Sequence, residues 1–206
     1  MSELTDETKP IRLNIGCGRD IREGWLNVDA IDFPGAEVWN LTNRWPLEDG
    51  SVEEIHASHV IEHFGQMHRC WIFNEMYRVL VPGGKVTLIA PHWANNRAFG
   101  DPTHQWPPFA EMAMYYLGKK WRDEQAPHTN SMLQCDFEAT WGYTVAPDIS
   151  ARNQEFQQFA LNHYANAVQP DDLWLVPGYA VGAKTGTASI PSADGTYEDD
   201  STIGSV

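Results

Sequence analysis

The chain has 206 residues, a net charge of −14 and an apolar content of 42%. This length suits one α/β domain with a sizeable core. The negative charge disfavours nucleic-acid binding, because a surface that follows phosphates needs Lys and Arg. No apolar run could span a membrane, the N-terminus lacks a signal-peptide core, and the three cysteines are widely spaced, so we expect a cytoplasmic protein with no membrane partner.

Apolar runs alternate with helical patterns along most of the chain. Strands are predicted at residues 11–15, 25–29, 37–39, 54–59, 86–90, 136–145 and 171–176, and helices at 66–80 and 152–168. This alternation predicts a doubly wound α/β fold with a mostly parallel, seven-stranded, Rossmann-like sheet. The first crossover has only nine residues, Gly16 to Gly24, so its helix must be reduced to about one turn.

Two glycines and an aspartate follow the first two predicted strands. Gly16 and Gly18 lack the Cβ that would keep a ligand from the backbone, and Asp29 offers two acceptor oxygens to a diol. A dinucleotide-binding loop would have a third glycine where Ile21 stands, and its acid about 20 residues on. Asp29 comes eleven residues after Gly18, so the loop suits a nucleoside without phosphates, and S-adenosylmethionine fits that description.

An aromatic and proline-rich segment, residues 91–118, follows the fifth predicted strand. Ligands of open α/β sheets bind at this carboxyl edge. His92, Asp101 and His104 are therefore candidate catalytic residues, because a histidine accepts protons near neutral pH. The alternative is structural: Asp101 orders the loop and His104 bonds to backbone. Methyl transfer is a direct displacement, so positioning alone is also sufficient.

The order of motifs resembles the class I S-adenosylmethionine-dependent methyltransferases, specifically the small type 11-like group. The motifs are Leu13-Asn14-Ile15-Gly16-Cys17-Gly18, Asp29, Trp45-Pro46-Leu47-Glu48-Asp49-Gly50-Ser51-Val52, Ser58-His59-Val60-Ile61-Glu62-His63-Phe64 and Glu75-Met76-Tyr77-Arg78-Val79-Leu80-Val81-Pro82-Gly83-Gly84. They cover residues 11–91. Asp101-Pro102-Thr103-His104 and Arg152-Asn153-Gln154-Glu155-Phe156 resemble phage and bacterial members and extend the similarity toward residue 175.

The resemblance implies S-adenosylmethionine as cofactor and an unidentified methyl acceptor, with a small molecule or peptide favoured. By position, Gly16 and Gly18 would line the methionine part, Asp29 would bind the ribose, and His59 would lie under the methyl donor. The cofactor-binding residues implied in this way are Asn14, Gly16, Cys17, Gly18, Asp29, Ala30, Asn40, Leu41, Ser58 and His59. The catalytic candidates are His59, His92, Asp101 and His104.

The adenine end of this implied site has one departure from the family pattern. Ala30 and Ile31 would flank the adenine, and Leu41 would pack on its other side. The family usually has Asp where Asn40 stands, and that Asp accepts from the adenine amino group. An Asn still accepts through its carbonyl, so we expect cofactor binding to be weakened rather than lost.

Two alternatives to the methyltransferase interpretation remain. His59-Val60-Ile61-Glu62-His63 fits H-x-x-E-H, an inverted zinc-hydrolase signature, which needs both histidines on one helical face and a third ligand. A strand runs into His59 and Gly65 follows closely, so we expect a turn with Glu62 and His63 in hydrogen-bonded roles and no metal. A cofactor-binding module without catalytic activity is the other alternative.

The composition changes after residue 176. We predict a flexible N-terminus at 1–10, the methyltransferase domain at 11–176 and a poorly ordered tail at 177–206 that disrupts the last strand. The tail resembles the K-T-G strand of penicillin-binding transpeptidases at Lys184-Thr185-Gly186. Those enzymes also need S-x-x-K, which occurs nowhere in this chain, so transpeptidase activity is excluded.

Overall fold

The computed structural model describes residues 10–145, 147–163 and 168–180. Five strands run parallel: Ile11–Ile15 (β1), Leu26–Asp29 (β2), Glu37–Val38 (β3), Val52–Ser58 (β4) and Leu80–Ala90 (β5). Phe137–Val145 (β6) and Val168–Ala180 (β7) pair antiparallel with each other, and β7 also pairs antiparallel with β5. The strand order is β3-β2-β1-β4-β5-β7-β6. The predicted α/β fold with a mostly parallel sheet is confirmed by β1 to β5.

One long helix lies between β4 and β5, and the other helices follow β5. The α-helices are Gln66–Val79 (α1), Arg97–Gly100 (α2), Met112–Tyr115 (α3), Lys119–Gln125 (α4), Pro147–Ser150 (α5) and Gln154–His163 (α6). Single 3-10 turns occur at Ile61–His63 and Pro127–Thr129. None of the helices among these described residues is long and apolar enough to cross a membrane.

Two strands, β5 and β7, are longer than the sequence predicts. β5 begins at Leu80 rather than residue 86, and its register with β4 shifts where Pro82, Gly83 and Gly84 occur. β7 continues to Ala180, so residues 177–180, assigned to the tail, lie in a strand. The rest of the predicted tail, 181–206, and residues 1–9 of the predicted flexible N-terminus lie outside the described residues.

The buried face of α1 is partly polar. Ile72, Phe73, Met76 and Val79 pack into the main core with the β1 and β4 side chains, as the helical spacing predicts. Met67 and Trp71, which belong to the same predicted apolar pattern, are exposed instead. Their place on the buried face is taken by two charged residues, Arg69 and Glu75, each of which has partners described below.

The short first crossover is a series of turns without a helix. Gly16, Gly18 and Gly24 all have positive φ, which permits tight reversals between β1 and β2. The buried Asn14 amide donates to the Asp20 carbonyl at 2.7 Å and to the Asn27 side-chain oxygen at 3.0 Å. These hydrogen bonds hold the loop where a crossover helix would otherwise cover the sheet.

Candidate active site

Asp29, at the end of β2, fixes the loop that follows β1. Its Oδ2 accepts a hydrogen bond from the Gly18 N–H at 2.8 Å, and its Oδ1 accepts from the Ile31 N–H at 2.9 Å. A carboxylate has about four acceptor positions, so each oxygen retains one for a ligand. Asp29 is half-buried, and its carboxylate joins the ends of two neighbouring parallel strands at the carboxyl edge.

Gly16 and Gly18 both have left-handed backbone, but their surroundings differ. A Cβ on Gly16 (φ 58°) would lie 2.3 Å from Cγ2 of Val60, so the loop is packed directly against the turn after β4. A Cβ on Gly18 (φ 51°) would have no neighbouring atom within 4 Å. Only the second glycine therefore borders open space that a ligand could fill.

The other predicted residues of this loop are internal. The Asn14 amide nitrogen donates both its hydrogen bonds to support the loop, and Cys17 is buried with its backbone N–H donating to the Val28 carbonyl. Burial and the nearby Asp29 raise the pKa of the Cys17 thiol, so it is not a reactive thiolate. In contrast, Ala30 and Ile31 are exposed beside Asp29, as the flank of a planar ring would require.

Arg22 and His56, which the sequence did not point to as site residues, support the same loop. Arg22 donates from Nη2 to Nε2 of His56 on β4, at 2.8 Å. His56 is buried, and burial together with the Arg22 charge lowers its pKa to about 4. A neutral imidazole accepting from a guanidinium is consistent with this environment. Nothing in the spacing of Arg22 and His56 could have predicted the pair, because it depends on the β1–β4 pairing.

Asn40 and Leu41 occupy the loop after β3. The Asn40 Oδ1 accepts from both the N–H and the hydroxyl of Thr42, at 3.0 and 2.7 Å. Both lone pairs of that oxygen are thus used within the turn, and the amide Nδ2 is the group that this turn does not use. Leu41 is buried in the main hydrophobic core, so its predicted contact with the adenine does not fit this placement.

Ser58 and His59 end β4 next to the β1 loop. His59 has left-handed backbone (φ 55°), and its N–H donates to the Ile89 carbonyl of β5 at 2.9 Å. A non-glycine residue in this region is uncommon and often marks a functional site. The His59 ring is about one-third exposed, and its Nδ1 lies 3.2 Å from Oε1 of Glu62, an ion-pair distance without hydrogen-bond alignment.

An open pocket of about 620 Å³ lies between the ends of β4 and β5 and the segment after β5. Its lining consists of His59, Glu62, His63, Pro91, Asn96, Arg97, Gly100, Asp101, Pro102 and His104. The pocket does not include Gly18 or Asp29. It adjoins their loop through Val60, which packs on Gly16 directly after His59. Three of the four predicted catalytic residues, His59, Asp101 and His104, therefore line one pocket.

His92 is the exception among the catalytic candidates. Its side chain is fully buried. The Nδ1 accepts from the Ala94 N–H at 3.2 Å, which places the ring proton on Nε2, 3.4 Å from Oε1 of Glu111. The predicted catalytic role does not fit, because a ring with no exposure and both nitrogens engaged cannot contact an acceptor. His92 instead secures the segment after β5.

Asp101 and His104 form a small network with His63. Asp101 Oδ1 accepts from the N–H and the hydroxyl of Thr103, and these bonds lower the pKa of the Asp101 carboxyl. The His63 Nδ1 lies 2.9 Å from the same Thr103 hydroxyl oxygen. The His63 and His104 rings contact edge to face, with centroids 4.8 Å apart. Asp101 therefore orders its loop, as the structural alternative predicts, and it also lines the pocket; its catalytic role stays a prediction.

Arg69 on α1 is a second residue that sequence reasoning missed. Its buried guanidinium donates to the backbone carbonyls of Ile61 and Glu62 in the 3-10 turn and of Gln105 and Pro107 in the segment after β5. Burial lowers the pKa of Arg69, while Glu62 opposes that effect. This guanidinium joins the two walls of the pocket, and a single Arg in a helical pattern gives no sign of that role.

Two of the motifs that carry the family resemblance are structural partners. Glu75 accepts from the Trp45 N–H at 2.8 Å, and Arg78 donates to both Glu75 oxygens. Arg78 also donates to the Leu47 carbonyl and to Asp49. Burial raises the pKa of Glu75, but the bonds from Arg78 and Trp45 outweigh it and the net pKa is lowered. The α1 motif thus holds the loop before β4.

The one basic cluster in the sequence, Lys119, Lys120 and Arg122, does not form a basic surface. Lys119 is paired with Asp123. Arg122 is buried and donates to the carbonyls of Tyr116 and Cys135 and to Asn130. Only Lys120 of the three has no charge partner or buried role recorded among the described residues, which leaves no local patch for phosphates.

Comparisons with known proteins agree with this architecture. Residues 17–88 match the family model of a methyltransferase domain. No curated protein matches the sequence significantly. A SAM-dependent methyltransferase from Archaeoglobus fulgidus has a similar structure, with 15% identity over 84% of this chain and 87% of that chain and a TM-score of 0.57. The N-methyltransferase NodS from Bradyrhizobium japonicum, solved with S-adenosyl-l-homocysteine, is 14% identical over 84% of this chain and 79% of that chain, with a TM-score of 0.47.

The matched family model spans the region in which the Gly16 loop, Asp29, the β4 turn and the Glu75–Arg78 pair are found. The Archaeoglobus structure shares the fold of the parallel sheet that brings these elements to one edge. The prediction of a methyltransferase, an enzyme that uses S-adenosylmethionine, is supported by the domain match over residues 17–88. The Archaeoglobus structure supports the predicted fold.

Proposed function

We propose that the cofactor lies along the ends of β1, β2 and β3, and that the methyl acceptor enters the pocket beside His59. The observation that carries this proposal is the Asp29 carboxylate, held by the Gly18 and Ile31 N–H groups at the edge of open space. Asp29 would receive the ribose hydroxyls on its remaining lone pairs. Ala30 and Ile31 would cover one face of the adenine, and Gly18 would leave room for the methionine part.

Asn40 contributes to the adenine end in a different way from the expected Asp. Its Oδ1 is already an acceptor for Thr42, so it has no lone pair left for the adenine amino group. Its Nδ2 would instead donate to a ring nitrogen of the adenine. This exchange of an acceptor for a donor is the physical reason to expect binding that is weakened and not abolished.

The bound cofactor supplies an electrophilic methyl group on a positively charged sulfur. His59 stands between the Gly16 loop and the pocket, where it would contact the acceptor. Its Nδ1 faces Glu62, so the carboxylate would stabilise the imidazolium if His59 accepts the acceptor's proton. His104 and Asp101, on the opposite wall, would orient the acceptor. Asn14, Cys17, Leu41 and Ser58 support the loops.

The acceptor favoured by the sequence is a small molecule or a peptide, and an open pocket suits either. The net charge of −14, and the lack of a basic cluster among the residues that the structure describes, favour these over a nucleic acid. The cytoplasmic location and the relationship to phage and bacterial members stay predictions from the sequence.

Transfer of a tritiated methyl group tests the proposal. The full chain would be incubated with labelled S-adenosylmethionine and sets of small hydroxyl and amine compounds, peptides and RNA. We expect label on one of the first two classes, reduced at least tenfold in His59→Ala and unchanged in His68→Ala, an exposed histidine on α1 outside the pocket. Transfer to RNA alone would overturn the acceptor class. Cofactor binding without transfer to any class would favour an inactive binding module.

A further inference from the structure

Glu62 is a buried acid whose oxygens are not satisfied by hydrogen bonds. The residue is 4% exposed, and neither Oε1 nor Oε2 has a hydrogen-bond partner among the described residues; the nearby His59 ring has its Nδ1 3.2 Å from Oε1, but without hydrogen-bond alignment. Leaving a carboxylate in this state is unfavourable in an apolar setting. The expected hydrogen-bonded role for Glu62 is therefore not observed, although His63 has one. A buried carboxylate without donors is the ordinary environment of a cation ligand.

Two imidazoles stand beside this carboxylate. One ligand atom each from Glu62, His63 and His104 lies within 4.8 Å of the others. The Nδ1 of His104 is also buried without a hydrogen-bond partner, so a second polar atom of the group is unsatisfied. Donors on one tetrahedral ion lie about 3.4 Å apart, so the most widely separated pair of the three atoms must approach by up to about 1.4 Å. The exposed His63 side chain has room to make this movement.

The neighbours of the two rings indicate which nitrogen of each ring has the free lone pair. The Thr103 hydroxyl donates to Asp101 at 2.7 Å, so its oxygen accepts from His63 Nδ1–H, and the His63 lone pair is on Nε2. The His104 Nε2 lies 3.8 Å from Asp101 Oδ2, which favours the proton on Nε2 and the lone pair on Nδ1. Asp101 thus orients both rings, directly and through Thr103, as carboxylates commonly orient metal-binding histidines.

We propose that Glu62, His63 and His104 bind one divalent transition-metal ion at the wall of the pocket. Two imidazoles and one carboxylate suit Zn²⁺ or Mn²⁺ better than Mg²⁺ or Ca²⁺, which prefer oxygen ligands alone. This site differs from the H-x-x-E-H hydrolase pattern, because His104 replaces His59 and no α-helix carries the ligands; Glu62 and His63 lie in a single 3-10 turn. It also departs from the expectation that no metal binds.

Three protein ligands leave at least one coordination position open toward the pocket. This consequence rests on the methyltransferase function proposed above: the open position would hold an acceptor oxygen. The metal would favour loss of the hydroxyl proton to His59 or water. The new O–CH₃ bond then forms as the S–CH₃ bond breaks, and S-adenosylhomocysteine leaves. The acceptor class would be a hydroxyl compound.

Metal binding to the full chain tests the site without any acceptor. The metal-free protein is titrated with ZnCl₂ and with MnCl₂ by calorimetry, and bound metal is counted by elemental analysis after dialysis. We expect one ion per chain, with affinity reduced at least tenfold in Glu62→Gln and in His104→Ala. His68→Ala, which removes an exposed histidine outside the group, should bind as the wild type does.

Each variant is also titrated with S-adenosylhomocysteine, which reports on folding and on the neighbouring cofactor site. Wild type that binds S-adenosylhomocysteine but no stoichiometric metal would overturn the metal site and leave the methyltransferase function standing. Metal binding that survives His104→Ala would overturn the proposed ligand set. A chain that binds metal but no S-adenosylhomocysteine would contradict the proposed function alone.

Discussion

The ends of β1, β2 and β4 and the segment after β5 meet at the same edge of the sheet, but their polar groups are satisfied differently. On the strand side, Asn14, Asp29 and His56 all have hydrogen-bond partners within the fold. On the other side, the Glu62 oxygens and the His104 Nδ1 have no hydrogen-bond partner in the part of the chain that the structure describes. The comparison indicates that the strand side, which we call the cradle, is already formed by its own hydrogen bonds. The opposite wall, with Glu62 and His104, has polar groups that a bound ligand would satisfy.

The largest expected effect tests how firmly the strand side is built. Glu75→Ala would remove the buried carboxylate that accepts two bonds from Arg78 and would leave the Trp45 N–H unpaired, so we expect a loss of about 3–5 kcal/mol in unfolding free energy. Urea unfolding measures it. Glu48→Ala, an exposed acid in the same loop, should change stability by less than about 0.5 kcal/mol. Equal effects of the two substitutions would show that the Glu75–Arg78 pair does not hold the loop.

A pair of glycine substitutions separates packing from backbone strain in the cradle. The Cβ introduced by Gly16→Ala would lie 2.3 Å from Cγ2 of Val60, at a position with positive φ. We therefore expect a loss of about 2–4 kcal/mol in unfolding free energy. Gly18→Ala has the same strain without a contact, and about 1–2 kcal/mol is expected. Adding Val60→Ala to Gly16→Ala would remove the clash and reveal whether the combined loss is smaller than the sum of the two single losses. Equal losses for both glycine variants would contradict the packing of the loop on the β4 turn.

The His56–Arg22 pair predicts a pH dependence of stability. The folded-state pKa of His56 is about 4, below its ordinary value of 6.5, so the unfolded chain binds more protons between these values. The contribution of His56 to the unfolding free energy is therefore fully present above pH 6.5 and decreases as the pH falls toward 4. The shift in the His56 pKa corresponds to a change in unfolding free energy of roughly 3 kcal/mol. Because solvent screens part of this interaction, we expect a change of about 2 kcal/mol between pH 7.5 and pH 4.

Urea unfolding at several pH values between 4 and 7.5 measures this dependence. His56→Gln keeps an acceptor for Arg22 but does not titrate, so it serves as the control. The difference between wild type and variant should grow as the pH falls. If the unfolding free energies of the two proteins changed with pH in the same way, His56 would not be the source of the pH dependence.

The smallest effect concerns the adenine end of the cradle. Asn40→Asp keeps the two Thr42 bonds on one oxygen and offers the other oxygen to the adenine amino group. We expect cofactor affinity to rise by about two- to fivefold, or less than 1 kcal/mol. Calorimetric titration with S-adenosylhomocysteine measures the change. A decrease in affinity would indicate that the Asn40 amide, rather than an acceptor, is the better partner.

More of the strand side of the site than of the opposite wall could be predicted from the sequence. The apolar runs located β1 to β5, and the glycines with Asp29 are adjacent because parallel strands end at one edge. The exposure of Met67 and Trp71 and the burial of Arg69 could not be read from helical spacing, because each depends on contacts with distant loops. Likewise, His92 and His104 look equivalent in sequence, and only the path of the segment after β5 buries one and turns the other toward Glu62.

The most direct test of the account is calorimetric titration of the intact, folded chain with S-adenosylhomocysteine. The account predicts one site per chain. Asp29→Ala should weaken binding by about 1–3 kcal/mol, because the ribose contacts and the Gly18 anchor are both lost, while Asp32→Ala, an exposed acid three residues on, should have no effect. Absence of binding to folded wild type, or equal affinity in Asp29→Ala, would contradict the proposed cradle.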